Sequence, residues 1–261
     1  MHIQRTSHFY MLLLVLLAWS TPRLCLSQET PSVVIFNSGD VNYTKAQSLA
    51  FSEGIELETK IKSDLNYPPS VSIDSQDGVI YESWTIDGDA ASSLASFVEE
   101  GGNLILVYSS NYSEENTLFQ RIFSISFNAE QVSMSKSSGS FIFPEGSVPS
   151  IFDGLDLGMV SFYGTYVLPS YLTVVGDGEK YFLESEETSE KRLISYVYSM
   201  GKGNVMLIPS IFGTSTQTPD YDPIDNSYIR FSETFFQDDQ IDKFDNEEAV
   251  RKALKWLTGS R

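Results

Sequence analysis

The sequence predicts an α/β protein: a three-layer sandwich with a mostly parallel central sheet, extended by antiparallel strands or hairpins in residues 124–200. Three observations carry this expectation. Short aliphatic runs rich in β-branched residues recur, of the kind that forms strands buried on both faces. Between them lie stretches with apolar residues at helical spacing. The turns joining them are short, which favours crossovers between parallel strands with helices covering both faces.

The elements follow in order. Ser32-Val-Val-Ile-Phe36 is the first buried strand, broken by Ser38-Gly39-Asp40. Thr44 to Glu53 puts Ala46, Leu49 and Ala50 on one helical face. Ile55 to Ile61 alternates apolar and polar residues, the pattern of a half-buried strand. Gly78-Val-Ile-Tyr81 is a buried strand leading into Glu82-Ser83-Trp84.

Asp87 or Asp89 can cap the next helix, because a carboxylate accepts from the free amides of a first turn. Ala91, Leu94, Ala95 and Val98 then fall at i, i+3, i+4 and i+7, and Gly101-Gly102 ends the helix. Asn103 to Tyr108 is the most apolar strand and is expected at the centre of the sheet. Glu114 to Phe123 reads as a helix with acids in its first turn.

Residues 124–200 are less regular. Strand-like pieces occur at Ile125 to Met134, Tyr171 to Val175, Tyr181 to Glu184 and Leu193 to Tyr198, separated by Gly and Pro. Gly203 to Ile208 returns to the buried-strand type, and Thr214 to Phe244 reads as a long polar loop. Asp245 or Asn246 caps a last helix, Glu247 to Leu257, whose stripe is Val250, Ala253, Leu254 and Leu257. Residues 28–261 contain no linker, repeat or low-complexity block and are expected to form one domain.

The first residues point to export. Met1 to His8 carries Arg5 and no acid, and Met11 to Trp19 is a continuous apolar run. That run is shorter than the roughly 20 residues that span a bilayer. Residues 1–27 are therefore expected to be a secretory signal peptide cleaved after Ser27, following the small residues of Cys25-Leu26-Ser27. An uncleaved signal anchor is the alternative.

Cleavage would change the inventory. Cys25 is the sole cysteine and His2 and His8 the sole histidines, and all three lie in that segment. Two of the 17 Lys and Arg leave with it, so 15 remain against 35 Asp and Glu, a net charge of −20. Such acidity repels nucleic-acid phosphates and anionic membrane surfaces, so nucleic acid is not an expected partner. Disulfides are excluded from the mature chain, and zinc sites built on His or Cys with them.

Two blocks carry a family likeness. Phe97-Val-Glu-Glu-Gly-Gly-Asn-Leu-Ile-Leu-Val107 resembles the helix–Gly-Gly–strand element of the class I glutamine-amidotransferase-like superfamily, whose fold is flavodoxin-like. Gly201-Lys-Gly-Asn-Val-Met-Leu-Ile-Pro-Ser210 resembles a second block, and Asp245-Asn246 before a helix ending Lys255-Trp256-Leu257-Thr258 resembles the last helix. The likeness is greatest to non-catalytic branches, among them the N-terminal domains of intraflagellar-transport subunit 52 and of the 48-kDa oligosaccharyltransferase subunit.

Active members of that superfamily use a Cys nucleophile after a strand, with His and Glu. The resemblance places Ser109-Ser110-Asn111 at the corresponding turn, and the mature chain has no His to activate either serine. The crevice of an open α/β sheet lies outside the carboxyl ends of its strands. Asp40, Glu82, Ser109 and Ser110 are therefore the candidate crevice residues. Calcium needs only oxygen ligands, and Asp220, Asp222 and Asp225 could supply them, without the spacing of an EF-hand loop. Phe162-Tyr163-Gly164-Thr165-Tyr166 reads as packing before it reads as a binding surface.

Asn42-Tyr43-Thr44 and Asn111-Tyr112-Ser113 are acceptor motifs for N-linked glycan at Asn42 and Asn111. Both follow expected strands, where glycans would crowd a crevice. The expected function is a secreted, non-enzymatic module that binds a protein or glycan partner, with no cofactor. A carbohydrate-active enzyme using only carboxylates is one alternative. A subunit of a membrane-associated complex, held by an uncleaved anchor, is the other.

Overall fold

The computed structural model describes residues 30–37, 42–61, 72–82, 88–108, 123, 126–130, 141–142, 155–157, 171–175, 177–185, 191–209, 236–238, 241–242 and 245–259. The chain divides into two units, Met1–Thr30 and Pro31–Arg261, and the fold belongs to the second.

Its parallel half is built from β1 (Ser32–Asn37), β2 (Glu56–Ile61), β3 (Gly78–Glu82), β4 (Asn103–Tyr108) and β11 (Gly203–Pro209). The intervening strands are β5 (Ser126–Glu130), β6 (Phe141–Ile142), β7 (Asp156–Leu157), β8 (Tyr171–Val175), β9 (Glu179–Ser185) and β10 (Lys191–Met200). The main sheet runs β2-β1-β3-β4-β11-β10-β9-β6-β7, and β5 pairs with β8 in a second sheet. Strands β2 to β11 of that order are parallel neighbours. From β11 outward every pairing is antiparallel, which is the extension expected in residues 124–200.

Among the described residues, the helices that flank the sheet are α1 (Thr44–Ser52), α2 (Gly88–Glu100) and α3 (Asn246–Leu257). Because side chains alternate across a strand, β1 feeds two cores. Val33 and Ile35 join α1 and α3 on one face, while Val34 and Phe36 join α2 on the other. These are the three layers of the expected sandwich. Asn103 to Tyr108 does lie inside the sheet, between β3 and β11.

The two glycine-bearing blocks turn out to be one structure. α2 ends with Gly101 N–H donating to Val98 O and Gly102 N–H donating to Phe97 O, both at 3.0 Å, the paired bonds of a Schellman ending. Across the sheet, Lys202 N–H in the β10–β11 turn donates to Glu99 O at 3.1 Å. Gly201 has φ +60°, and a Cβ there would lie 2.5 Å from Glu99 Cα. A Cβ on Gly203 would lie 2.0 Å from the Gly102 carbonyl oxygen. No side chain fits either position without moving backbone.

The adjacent asparagines complete this edge. Asn204 Nδ2 donates to Asn103 Oδ1 at 3.1 Å, and Asn103 Nδ2 donates to Leu257 O at 3.0 Å at the end of α3. The "Gly-Asn" signature is thus a packing device at the starts of β4 and β11. It lies at the opposite ends of the strands from Glu82.

Some local expectations need correction. α2 begins at Gly88, so Asp89 sits within its first turn, where a carboxylate favours the helix dipole, and Asp87 lies outside the described residues. Asp245 occupies the expected N-cap position of α3, without a side-chain capping bond, and Asn246 is the first helical residue and fully buried. The span Thr214 to Phe244 is not simply a polar loop: Phe236 and Ile241 lie in the core with α1 and α3. The helix expected from Glu114 falls, up to residue 122, outside the described residues.

Glu53 sits at the C-terminal end of α1, where a negative charge opposes the helix dipole. Two cations of α3 answer it: Arg251 at 2.8 Å and Lys255 at 2.8 Å. Hydrogen bonds from Lys255 and then Arg251 hold its carboxyl below the ordinary value. The stabilisation is therefore present above the ordinary carboxylate range and fades as pH falls through the depressed value. Glu53→Gln is expected to melt below wild type at neutral pH, with the gap closing in acid and in high salt. Thermal unfolding across pH and salt measures this, and a gap unchanged at low pH would contradict it.

Candidate functional site at the strand switch point

The strand order reverses at β1: its crossover to β2 goes one way, and β3 lies on the other side. In open α/β sheets the ligand crevice opens outside the carboxyl ends at such a switch point. Phe36 pairs with Tyr81, so Asn37 and Glu82 end neighbouring strands one step further on. Val33, Ile35 and Ile80 belong to the α1/α3 core, and alternation turns Asn37 and Glu82 toward that same face.

Glu82 is 1% exposed, a carboxylate placed where water does not reach it. Burying a charge is costly unless it is hydrogen-bonded. Tyr43, just before α1 and itself buried, donates its hydroxyl to Glu82 Oε2 at 2.5 Å. Burial, followed by the charge and the hydrogen bond of Glu82, pushes the Tyr43 phenol far above its ordinary value. Raised above its ordinary value, the phenol keeps its proton at neutral pH and is the donor to Glu82. A hydrogen bond from the Gln237 side chain acts on the phenol in the opposite direction.

Gln237 arrives on a strap formed by residues 236–238 and 241–242, which is clasped to the start of α1. Asp238 N–H donates to Asn42 O at 3.0 Å, and Lys45 N–H donates to Asp238 Oδ1 at 2.7 Å. The Lys45 ammonium donates to Asp238 O at 2.8 Å and pairs with the Asp242 carboxylate. Asp238 thereby supplies an acceptor to a free amide of the first turn, a capping role played from a remote part of the chain. Phe236 and Ile241 anchor the strap in the core on either side.

Of the candidate crevice residues, the structure places Glu82 at the switch point. Asp40, Ser109 and Ser110 lie outside the described residues. So do Asn111, the calcium candidates Asp220, Asp222 and Asp225, the aromatic segment 162–166, and the cleavage position after Ser27. Asn42 is described and exposed. Among the described residues, no group of three or more His, Cys, Asp or Glu could hold a metal ion, and no helix is long and apolar enough to cross a membrane.

Sequence reasoning missed two members of the site. Tyr43 is the middle residue of an acceptor motif and reads as a spacer. Gln237 lies in a polar stretch, and the clue was the apolar Phe235-Phe236 pair and Ile241 inside it.

The fold and site together define an α/β protein with a flavodoxin-like strand order and a buried, hydrogen-bonded carboxylate at its switch point. No family model and no curated protein matches the chain. Solved structures do. A glutamine amidotransferase from Thermotoga maritima is similar at 8% identity, over 68% of this chain and 74% of that one, with a TM-score of 0.41.

A β-galactosidase from the Antarctic haloarchaeon Halorubrum lacusprofundi is similar at 12% identity over 88% of this chain, with a TM-score of 0.49. The match covers 30% of the β-galactosidase. A cytoplasmic protein from Salmonella typhimurium is similar at 11% identity, over 86% of this chain and 98% of that one, with a TM-score of 0.49. None of these likenesses carries an argument about activity.

Proposed function

We propose that the chain is a secreted, non-enzymatic amidotransferase-like domain that binds a protein or glycan partner. Its place is with the branch that resembles the N-terminal domains of intraflagellar-transport subunit 52 and the 48-kDa oligosaccharyltransferase subunit. The observation that carries this reading is the state of Glu82. A general acid, general base or nucleophilic carboxylate must reach its substrate within hydrogen-bond distance. Glu82 is 1% exposed and already bonded to Tyr43, which Gln237 backs from the strap. The expected loss of Cys25, His2 and His8 with the signal segment removes the usual nucleophile and base as well.

The test uses the secreted chain purified from culture medium. It is screened on an oligosaccharide array and cross-linked on the surface of the producing cells, alongside a panel of glycosides, esters and amides. Saturable binding without turnover is the expected result. Turnover of any panel compound that disappears in a folded Glu82→Gln variant would overturn the proposal in favour of carboxylate chemistry.

A further inference from the structure

We propose that Asn42 carries an N-linked glycan and receives it before the domain closes around Tyr43. This rests on export of the chain and is independent of the partner-binding reading. The acceptor motif Asn42-Tyr43-Thr44 spans the entry to α1, and its three side chains have different fates. Asn42 and Thr44 are exposed, and Tyr43 is 2% exposed.

Asn42 Oδ1 accepts from Thr44 N–H at 3.1 Å and from the Thr44 hydroxyl at 2.6 Å. Its Nδ2 makes no hydrogen bond among the described residues. A glycan replaces one hydrogen on Nδ2 and leaves Oδ1 untouched, so the folded arrangement accommodates the modified residue without losing a bond. In the transfer, Nδ2 bonds to the anomeric carbon of an oligosaccharide carried on a lipid diphosphate. The carbon–oxygen bond to the diphosphate breaks, the diphosphate leaves with the electron pair, and Nδ2 gives up a proton.

Timing follows from Tyr43. In the folded domain its hydroxyl is bonded to Glu82 and Gln237, and its ring is packed in the α1/α3 core. The Asn42 carbonyl also accepts from Asp238 N–H. A transferase that must draw out this segment to engage both Asn42 and Thr44 meets a closed motif. Glu82, Gln237 and Asp238 all follow the motif in the chain, so during synthesis it emerges unpinned. The sugar then stands beside the strap, at the rim of the switch point.

The experiment secretes the full chain from cultured eukaryotic cells and removes glycans with peptide-N-glycosidase in heavy-oxygen water. Mass spectrometry of the peptide holding Asn42 should show conversion to labelled Asp. Thr44→Ser should keep the label, and Thr44→Ala should lose it while the protein is still secreted. Full-length chain refolded without sugar should resist modification by transferase-bearing microsomes that modify a synthetic peptide of residues 38–48. Secreted protein with unlabelled Asn42 overturns the site, and equal modification of the refolded chain and the peptide overturns the timing. A chain retained in the cell with its N-terminus intact overturns the export on which both depend.

Discussion

Phe236→Ala is expected to lower the unfolding free energy by about 3–5 kcal/mol, the usual cost of truncating a fully buried aromatic. For a domain of this size each kcal/mol shifts the melting midpoint by about 2–4 °C, so the expected fall is roughly 6–20 °C. The reasoning is volumetric. Phe236 is fully buried in the core that includes α1 and α3, and its removal leaves a cavity that the neighbouring strands cannot collapse into.

The sequence context points the other way, since residues 214–244 are rich in Asp, Ser, Thr and Pro. A residue on a solvated loop would change stability by no more than about 0.5 kcal/mol. Chemical denaturation separates the two values without ambiguity. Phe236→Leu, which keeps most of the volume, should recover much of the loss. A near-neutral Phe236→Ala would mean that the strap does not belong to the core.

The second large effect is expected at Tyr43. Tyr43→Phe keeps the ring in the core and removes the hydroxyl that donates to the buried Glu82 carboxylate. The expected cost is about 1.5–3 kcal/mol, the range for hydrogen bonds to charged groups. The same change in a Glu82→Gln background should cost less, about 0.5–1.5 kcal/mol, because the lost bond is then between neutral groups. The double-mutant cycle therefore carries a coupling energy that a purely steric role for Tyr43 would not produce. Additivity of the two substitutions would refute a direct Tyr43–Glu82 interaction in solution.

These two residues also show how far sequence reading reaches. α3 was fully legible: Val250, Ala253, Leu254 and Leu257 were placed by helical spacing, and all four are completely buried. β1, β3 and β4 were legible for the same reason, because short aliphatic runs bounded by breakers have few other solutions. The antiparallel extension followed from strands set between Gly and Pro. Boundaries were less legible, as at Asp89, where one carboxylate serves equally as a cap or as a first-turn residue.

The glycine blocks were read correctly as a likeness but not as a contact. Gly102 and Gly203 are far apart in the chain, yet their backbones touch at the base of the sheet. What the likeness marks is therefore the close approach of α2, β4 and the β10–β11 turn. It marks no chemistry, and the switch point lies at the other ends of the same strands.

By itself the sequence determined the fold class, the acidic surface, the place of Glu82 at the end of a strand, and the shortage of Cys and His. Each is a local property or a count: periodicity is set within a few residues, and composition needs no folding at all. Only the tertiary structure decided that Glu82 is closed off, because the groups that close it come from residues 43 and 237. Their meeting depends on ordering the chain between them, and no local preference encodes that ordering. The same closure turned Asn42-Tyr43-Thr44 from a surface motif into one whose middle residue is a core residue, since Tyr43 gains more from burial and the Glu82 bond than from solvent.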